Sequence, residues 1–187
     1  MIKAVLDACV LYSAPLRDFL LRLAEAKLVQ PYWSAKIQDE WMRNLFQKRP
    51  DLLRERLART RDEMEKRFSR SVVSGFEELV PTLQLPDPND RHVLAVAIRS
   101  KAPLIVTHNL NDFPKNALSV YQIEAISPDD FAIRVKDYDP DGFLDTVAKH
   151  RAGLTRPAKT VDAYLATLQK QGLTKTVDFL QKHRDKI

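Results

Sequence analysis

The sequence predicts an α/β fold: a parallel sheet of about four or five strands flanked by helices, with an α-helical unit appended at the C-terminus. Three observations carry this expectation. Short apolar runs at Ile2–Leu6, Pro103–Thr107 and Tyr121–Ile126 have strand length and character. Stretches with helical periodicity separate them, the arrangement of parallel strands joined by crossovers. Beyond about Tyr138 only helical patterns remain, near 141–150, 160–171 and 174–185. The expected organisation is therefore a first domain over 1–138 and a helical extension over 139–187.

Each element has a local reason. Ile2–Leu6 is a buried strand that ends at Asp7. Leu16, Phe19, Leu20, Leu23 and Leu28 share one helical face. Tyr32-Trp33 is a candidate short strand, and Ser34 is placed to N-cap a helix running to about Lys48 with Ile37, Trp41 and Leu45 inward. Pro50 ends that helix and starts the next, a charged helix over 51–70 with apolar positions at 52, 53, 57, 64 and 68. Val80–Asn89 holds three prolines and reads as a loop; Arg91–Lys101 turns Val93, Leu94, Ala97 and Ile98 inward. Ser127-Pro128-Asp129-Asp130 is a helix start. Near the end, Gly172 has the position of a C′ stop and Thr174 that of the next N-cap.

Composition narrows the function classes. With 187 residues the chain can bury a core without staples. Its single cysteine, Cys9, excludes an internal disulfide and a cysteine-built zinc site and suits a reducing cytoplasm. No apolar run approaches the roughly 20 residues of a bilayer span, and the N-terminus does not read as a signal peptide. The net charge of +5 leans toward a polyanionic partner. The charge is segregated: 43–70 is net +5, 149–187 is net +6, and the remainder is net −6. An acidic pocket beside basic surface would produce that division.

Four carboxylates are the candidate chemistry. Asp7 follows the first strand, where open α/β sheets bind ligands; it is either a metal ligand or the N-cap of the next turn. Asp112 lies in the polar loop His108–Asp112 after the strand ending at Thr107 and is otherwise a surface turn residue. Asp90 begins a helix on the side shared with Leu94 and Ala97, with Asp87 as its competitor. Glu40 borders the Ile37/Trp41 stripe, where a flanking surface charge is the plainer reading. Acids gathered in one pocket repel each other unless a cation binds. Hard oxygen donors suit Mg2+ or Mn2+, which activate water for attack on phosphate.

Val5-Leu6-Asp7-Ala8, Gln38-Asp39-Glu40-Trp41, Asp87 to Ala95 and Ile105 to Pro114 resemble, in order and spacing, the motifs of PIN-domain nucleases over roughly residues 1–130. The VapC-like toxin branch, some of whose members carry a helical C-terminal extension, is the most similar in size. The resemblance implies a Mg2+- or Mn2+-dependent endoribonuclease, the toxin of a type II toxin–antitoxin pair. Asp7, Glu40, Asp90 and Asp112 would hold the metal, with Asn109 and Thr107 supporting. Its partners would be an RNA substrate, a cognate antitoxin and a possible second copy of itself. Cys9 departs from the pattern, since many relatives have Asn, Ser or Thr there.

Other readings remain beside it. A non-catalytic RNA- or protein-binding module on the same fold is one. An aspartate phosphatase is disfavoured because Asp7-Ala8-Cys9 lacks the second Asp. Cys9 reads as a small packed residue, and His92 and His108 as structural or exposed. Arg54, Arg56, Arg59 and Arg61 are candidates for holding the RNA backbone; the competing account is a solvated face in which Asp51 and Glu55 neighbour Arg54 and Arg59.

Overall fold

The computed structural model describes residues 1–49, 51 and 54–187; the expectations placed on Pro50, Leu52 and Leu53 lie outside them. The fold is α/β. Four strands, β1 (Ile2–Leu6), β2 (Val29–Tyr32), β3 (Leu104–Val106) and β4 (Glu124–Ile126), form one sheet in the order β2-β1-β3-β4. β3 runs parallel to both its neighbours, with Leu6 opposite Val106 and Val106 opposite Ile126. Ala4, Val5, Ile105 and Val106 are fully buried, which is why these strands read as unbroken apolar runs rather than alternating ones.

Contacts divide the chain into two units. One comprises 3–12 and 31–126, the other 1–2, 13–30 and 127–187. The first contains α1 (Ala8–Leu11), α3 (Ala35–Lys48), α4 (Arg54–Arg67), α5 (Arg91–Ser100) and α6 (Lys115–Leu118). Ser34 caps α3 as expected, its Oγ accepting from the Ile37 amide at 3.3 Å, and Ile37 and Trp41 are fully buried. Trp33 is not part of β2. Its backbone instead bridges 71–73, the Trp33 amide donating to Ser71 O at 2.9 Å and the Val73 amide to Trp33 O at 2.8 Å.

The stretch read as a loop from Val80 contains 3-10 turns at Glu77–Thr82 and Pro88–Asp90. The last strand is shorter than expected because Ser119–Tyr121 forms a 3-10 turn and Gln122 adopts φ +57°, delaying β4 to Glu124. Asp51 does not pair along the next helix: Arg49 reaches it through two hydrogen bonds of 2.8 and 2.7 Å.

The second unit contains α2 (Ala14–Glu25) together with α7 (Pro128–Tyr138), α8 (Pro140–Gly153), α9 (Val161–Lys170) and α10 (Thr174–Gln181). The sequence division at Tyr138 coincides with the end of α7, and α7 groups with the helices after it. Phe19 of α2 meets Phe143 of α8 edge-on, with ring centres 6.2 Å apart. The buried His150 joins three helices, its Nε2 lying 2.9 Å from Asp18 Oδ2 and its Nδ1 3.0 Å from the Tyr164 hydroxyl. His150 thereby holds the Asp18 carboxyl below the usual carboxylate range.

Gly172 takes φ +80° as the expected stop between α9 and α10. Thr174, expected as the cap of α10, is instead its first residue, and the capping position is held by Leu173, which has no side-chain acceptor. A carboxylate from α7 replaces it. Asp129 accepts from the Lys175 amide at 2.8 Å and the Thr176 amide at 2.9 Å, and from Thr176 Oγ1 at 2.8 Å. Two otherwise orphaned amides of α10 are thus satisfied by another helix, and the carboxylate also faces the positive end of the helix dipole. Asp129→Ala should therefore lower unfolding stability by about 2–3 kcal/mol, since it leaves buried donors unpaired, measured by urea denaturation; Asp129→Asn should recover part of the loss.

Candidate active site

The site is built at the carboxyl edge of the sheet. Because β1 and β3 are parallel and in register, Asp7 and Thr107 leave the same edge side by side. The Asp7 amide continues the ladder to Val106 O at 3.1 Å, and the Thr107 amide to Ile126 O at 3.0 Å. Thr107 Oγ1 then donates to Asp7 Oδ2 at 2.7 Å. Both readings of Asp7 apply at once: its Oδ1 caps α1 by accepting from the Ala8 amide at 2.6 Å, while the side chain is 5% exposed beside the loop that carries Asp112. A carboxylate offers about four acceptor positions, so these bonds and the one from Cys9 orient Asp7 without using all of them.

Cys9 is more than a packed residue. Its Sγ donates to Asp7 Oδ2 at 3.1 Å and receives the His108 amide at 3.3 Å. Burial, and then the charge of Asp7, push the thiol up to about 12, so it stays protonated and can donate. Its sulfur thereby joins the β1 and β3 loops. Asn109, exposed at its side chain, contributes its amide, which donates to Thr107 Oγ1 at 3.0 Å. Asp112 follows in a 3-10 turn over Leu110–Asp112, half-buried, its amide bonded to Asn109 O at 3.0 Å.

Glu40 and Asp90 come from helices. Glu40 is half-buried on α3, and its Oε1 lies 3.0 Å from Nε2 of His92 on α5. His92 is 1% exposed; the pair sits at ion-pair distance but without hydrogen-bond alignment, and Nδ1 of His92 has no hydrogen-bond partner among the described residues. Its place in the first turn of α5, facing Glu40, leaves no signature in histidine spacing. Asp90 stands at the capping position of α5 yet makes no capping hydrogen bond. The competitor Asp87 does cap, accepting from the Asn89 amide at 2.8 Å.

Asp90 shows that the acids share one field. Its carboxyl is pushed up to about 7, first by burial and then by the negative charge of Asp7, Asp87, Asp112 and Glu40. Asp7, Glu40 and Asp112 therefore each lie within electrostatic reach of Asp90. Among the described residues, no group of three or more acidic, histidine or cysteine side chains is arranged to hold a metal ion. Mg2+ keeps several waters and needs only one or two carboxylates beside substrate phosphate, fewer protein ligands than such a group would supply. The four acids themselves offer hard oxygen donors, the kind suited to Mg2+ or Mn2+.

The basic residues of α4 do not join this cluster. The Arg54 guanidinium stacks on the Phe46 ring at 4.4 Å, and Arg61 faces Asp62 at 3.1 Å and Asp39 at 3.7 Å. Arg56 and Arg59 are exposed.

A PIN-domain family model matches residues 3–111. The chain belongs to the PIN-domain family. Residues 128–182 match the VapC50 C-terminal domain, so this PIN protein is of the VapC-like kind that carries a C-terminal extension. Over 59 residues, 32% of the chain, it is 48% identical to a Mycobacterium tuberculosis protein named "Putative ribonuclease VapC50"; the matched segment spans 34% of that relative's length. No solved structure matches. Among the described residues, no helix of this PIN protein is long and apolar enough to cross a membrane.

The raised carboxyl has a consequence for metal-free protein. The folded-state value for Asp90 of about 7 exceeds the unfolded value of about 4, so the folded state binds the extra proton between them. That contribution to stability is complete below about pH 4 and lost as pH rises through about 7. In EDTA, stability measured by chemical denaturation should contain a component that falls between pH 5 and 8, and Asp90→Asn should remove it. An unchanged pH profile in Asp90→Asn would show that Asp90 does not carry the shift.

Proposed function

We propose that this PIN-domain chain is a divalent-metal-dependent endoribonuclease and the toxin of a type II toxin–antitoxin pair. The observation that carries the reading is the parallel β1–β3 edge, where Thr107 Oγ1 holds Asp7 Oδ2 at 2.7 Å, with Asp90 pushed up first by burial and then by the charge of Asp7, Asp87, Asp112 and Glu40. A protein that gathers like charges at a sheet edge gains from a cation there, and the donors present suit Mg2+ or Mn2+. The relative's name, which includes ribonuclease, and the match to a VapC50 C-terminal domain support the substrate class and the toxin assignment.

In this reading Asp7, Glu40, Asp90 and Asp112 hold the metal. When bound, the ion would acidify a water and offset charge on the phosphate. Thr107 and Cys9 fix the rotamer of Asp7 through their hydrogen bonds, while the Asn109 amide fixes Thr107. His92 stands beside Glu40, its Nε2 3.0 Å from Oε1. No side chain of the chain need be the nucleophile.

We assign the chemistry to residues 1–138 and treat 139–187 as a helical extension. The net charge of +6 on its residues 149–187 and the exposed Arg56 and Arg59, with Arg54 and Arg61 beside them, offer basic surface for the RNA backbone. A cognate antitoxin, a second copy of the chain and action in the cytoplasm complete the proposal.

Purified protein should cleave single-stranded RNA with Mn2+ or Mg2+ and stop on addition of EDTA. Asp7→Asn and Asp90→Asn should each lower kcat/KM by at least about 100-fold, the scale of a lost metal contribution, and Thr107→Val by about 10- to 100-fold, the scale for groups that orient metal ligands. Wild-type cleavage by Asp7→Asn and Asp90→Asn would overturn the reading.

A further inference from the structure

A cavity of about 830 Å3 opens beside Glu40 and His92 within the unit that carries the acids. Its walls are α3 on one side, through Lys36, Glu40 and Arg43, and the segment Val72–Val80 on the other, with Asn89 and His92 at the end nearest Asp90. The far wall is anchored, not loose. The backbone hydrogen bonds of 71–73 to Trp33 tie it to the residue preceding the α3 cap, and Gly75, at φ +69°, turns the chain over the Arg99 side chain. Phe76 is buried beneath the cavity.

Charge on the α3 wall has a definite order. Lys36, Glu40 and Arg43 are spaced i, i+4, i+7 and form one stripe along the helix. A cation therefore stands about one turn to either side of the proposed metal ligand. The commonplace use of such spacing is an ion pair along the helix, but Glu40 faces His92 instead. Lys36 and Arg43 are exposed and make no ion pair among the described residues. Of the acids on this cavity, Asp39 is partly offset by Arg61 at 3.7 Å, which leaves Glu77 on the far wall.

We propose that this cavity takes the nucleotide adjoining the scissile phosphate of single-stranded RNA, with Lys36 and Arg43 holding its flanking phosphates and Asn89 and Ser74 presenting hydrogen-bonding groups to the base. The proposal rests on the ribonuclease reading above. The volume lies in the range of built ligand sites and suits a splayed-out nucleotide. A paired, stacked A-form strand cannot turn a base into it, and recognition of RNA bases relies on unpaired ones. The stripe also answers an electrostatic need: phosphates approaching an acidic cluster require nearby fixed cations, and Lys36 and Arg43 bracket the acid that reaches farthest along α3. Neither residue touches the reacting atoms in this account; both position the substrate.

The test uses the full-length protein and a fluorescently labelled, mixed-sequence single-stranded oligoribonucleotide, with a hairpin of the same composition as the structured probe. Binding is followed by anisotropy in EDTA across a salt series, and cleavage by steady-state kinetics with Mn2+. The double variant Lys36→Ala/Arg43→Ala should bind the single strand about 10- to 100-fold more weakly. Its log K against log salt slope should be shallower by about 1.4, the loss of two phosphate contacts on a single strand. KM should rise with kcat within about threefold, as for lost uniform binding. Lys3→Ala, at the opposite end of β1 from Asp7, should behave as wild type.

Wild-type affinity and salt slope in the double variant, while wild type still cleaves, would overturn the cavity assignment and leave the ribonuclease reading standing. Equal affinity for the hairpin, with equal sensitivity to the double variant, would overturn the single-strand specificity. Wild type that neither binds nor cleaves RNA would overturn both.

Discussion

Negative charge held at the carboxyl edge of a parallel sheet is the constraint around which the first unit is organised. Parallel pairing puts Asp7 and Thr107 next to each other at the ends of β1 and β3, and the 2.7 Å bond between them orients the carboxylate. Once that carboxylate is buried and charged, every further acid brought near it raises the electrostatic penalty. Asp90 registers that penalty: burial first, and then the charge of Asp7, Asp87, Asp112 and Glu40, push its carboxyl upward, and at its capping position it makes no capping hydrogen bond. Asp87 stands beside it, but its carboxylate is occupied by the Asn89 amide. The fold therefore concentrates repulsion on a carboxyl that only a cation or a proton would relieve.

The parts legible in the sequence were those set by short-range rules. Ser34 caps α3 and Ser127 caps α7, each accepting from the amide three residues on. Gly172 stops α9 because its φ is positive. The fully buried strands announced themselves as apolar runs. Asp7 could be placed at the end of β1 because strand one ends where its apolar run ends. What remained hidden depended on partners far away in the chain. Leu173 needs no capping side chain because Asp129, some 44 residues earlier, supplies the acceptor. Likewise, nothing local to His92 points to Glu40, and only the approach of α3 to α5 makes them neighbours.

Cys9 illustrates the same limit at the site itself. As a residue type it suggests packing. In the folded chain its sulfur bridges Asp7 and the His108 amide, a role set by the register of β1 against β3 and by a thiol that burial keeps protonated. The α4 arginines show the reverse: a strong basic signal in sequence, part of which is absorbed locally by Phe46, Asp62 and Asp39. The second unit has its own logic, in which His150 and Asp129 link helices through buried polar contacts that no helical periodicity encodes.

The central claim is that the four acids act on one shared ion, and it can be read without any catalysis. Titrating Mn2+ into wild type and into Asp7→Asn, Glu40→Gln, Asp90→Asn and Asp112→Asn, with bound ion followed by electron paramagnetic resonance, measures that sharing directly. The account predicts saturable binding in wild type and a weaker Kd in every one of the four variants. Wild-type Mn2+ affinity in any of them, with the fold intact by circular dichroism, would contradict it for that residue; unchanged affinity in all four would remove the shared ion altogether.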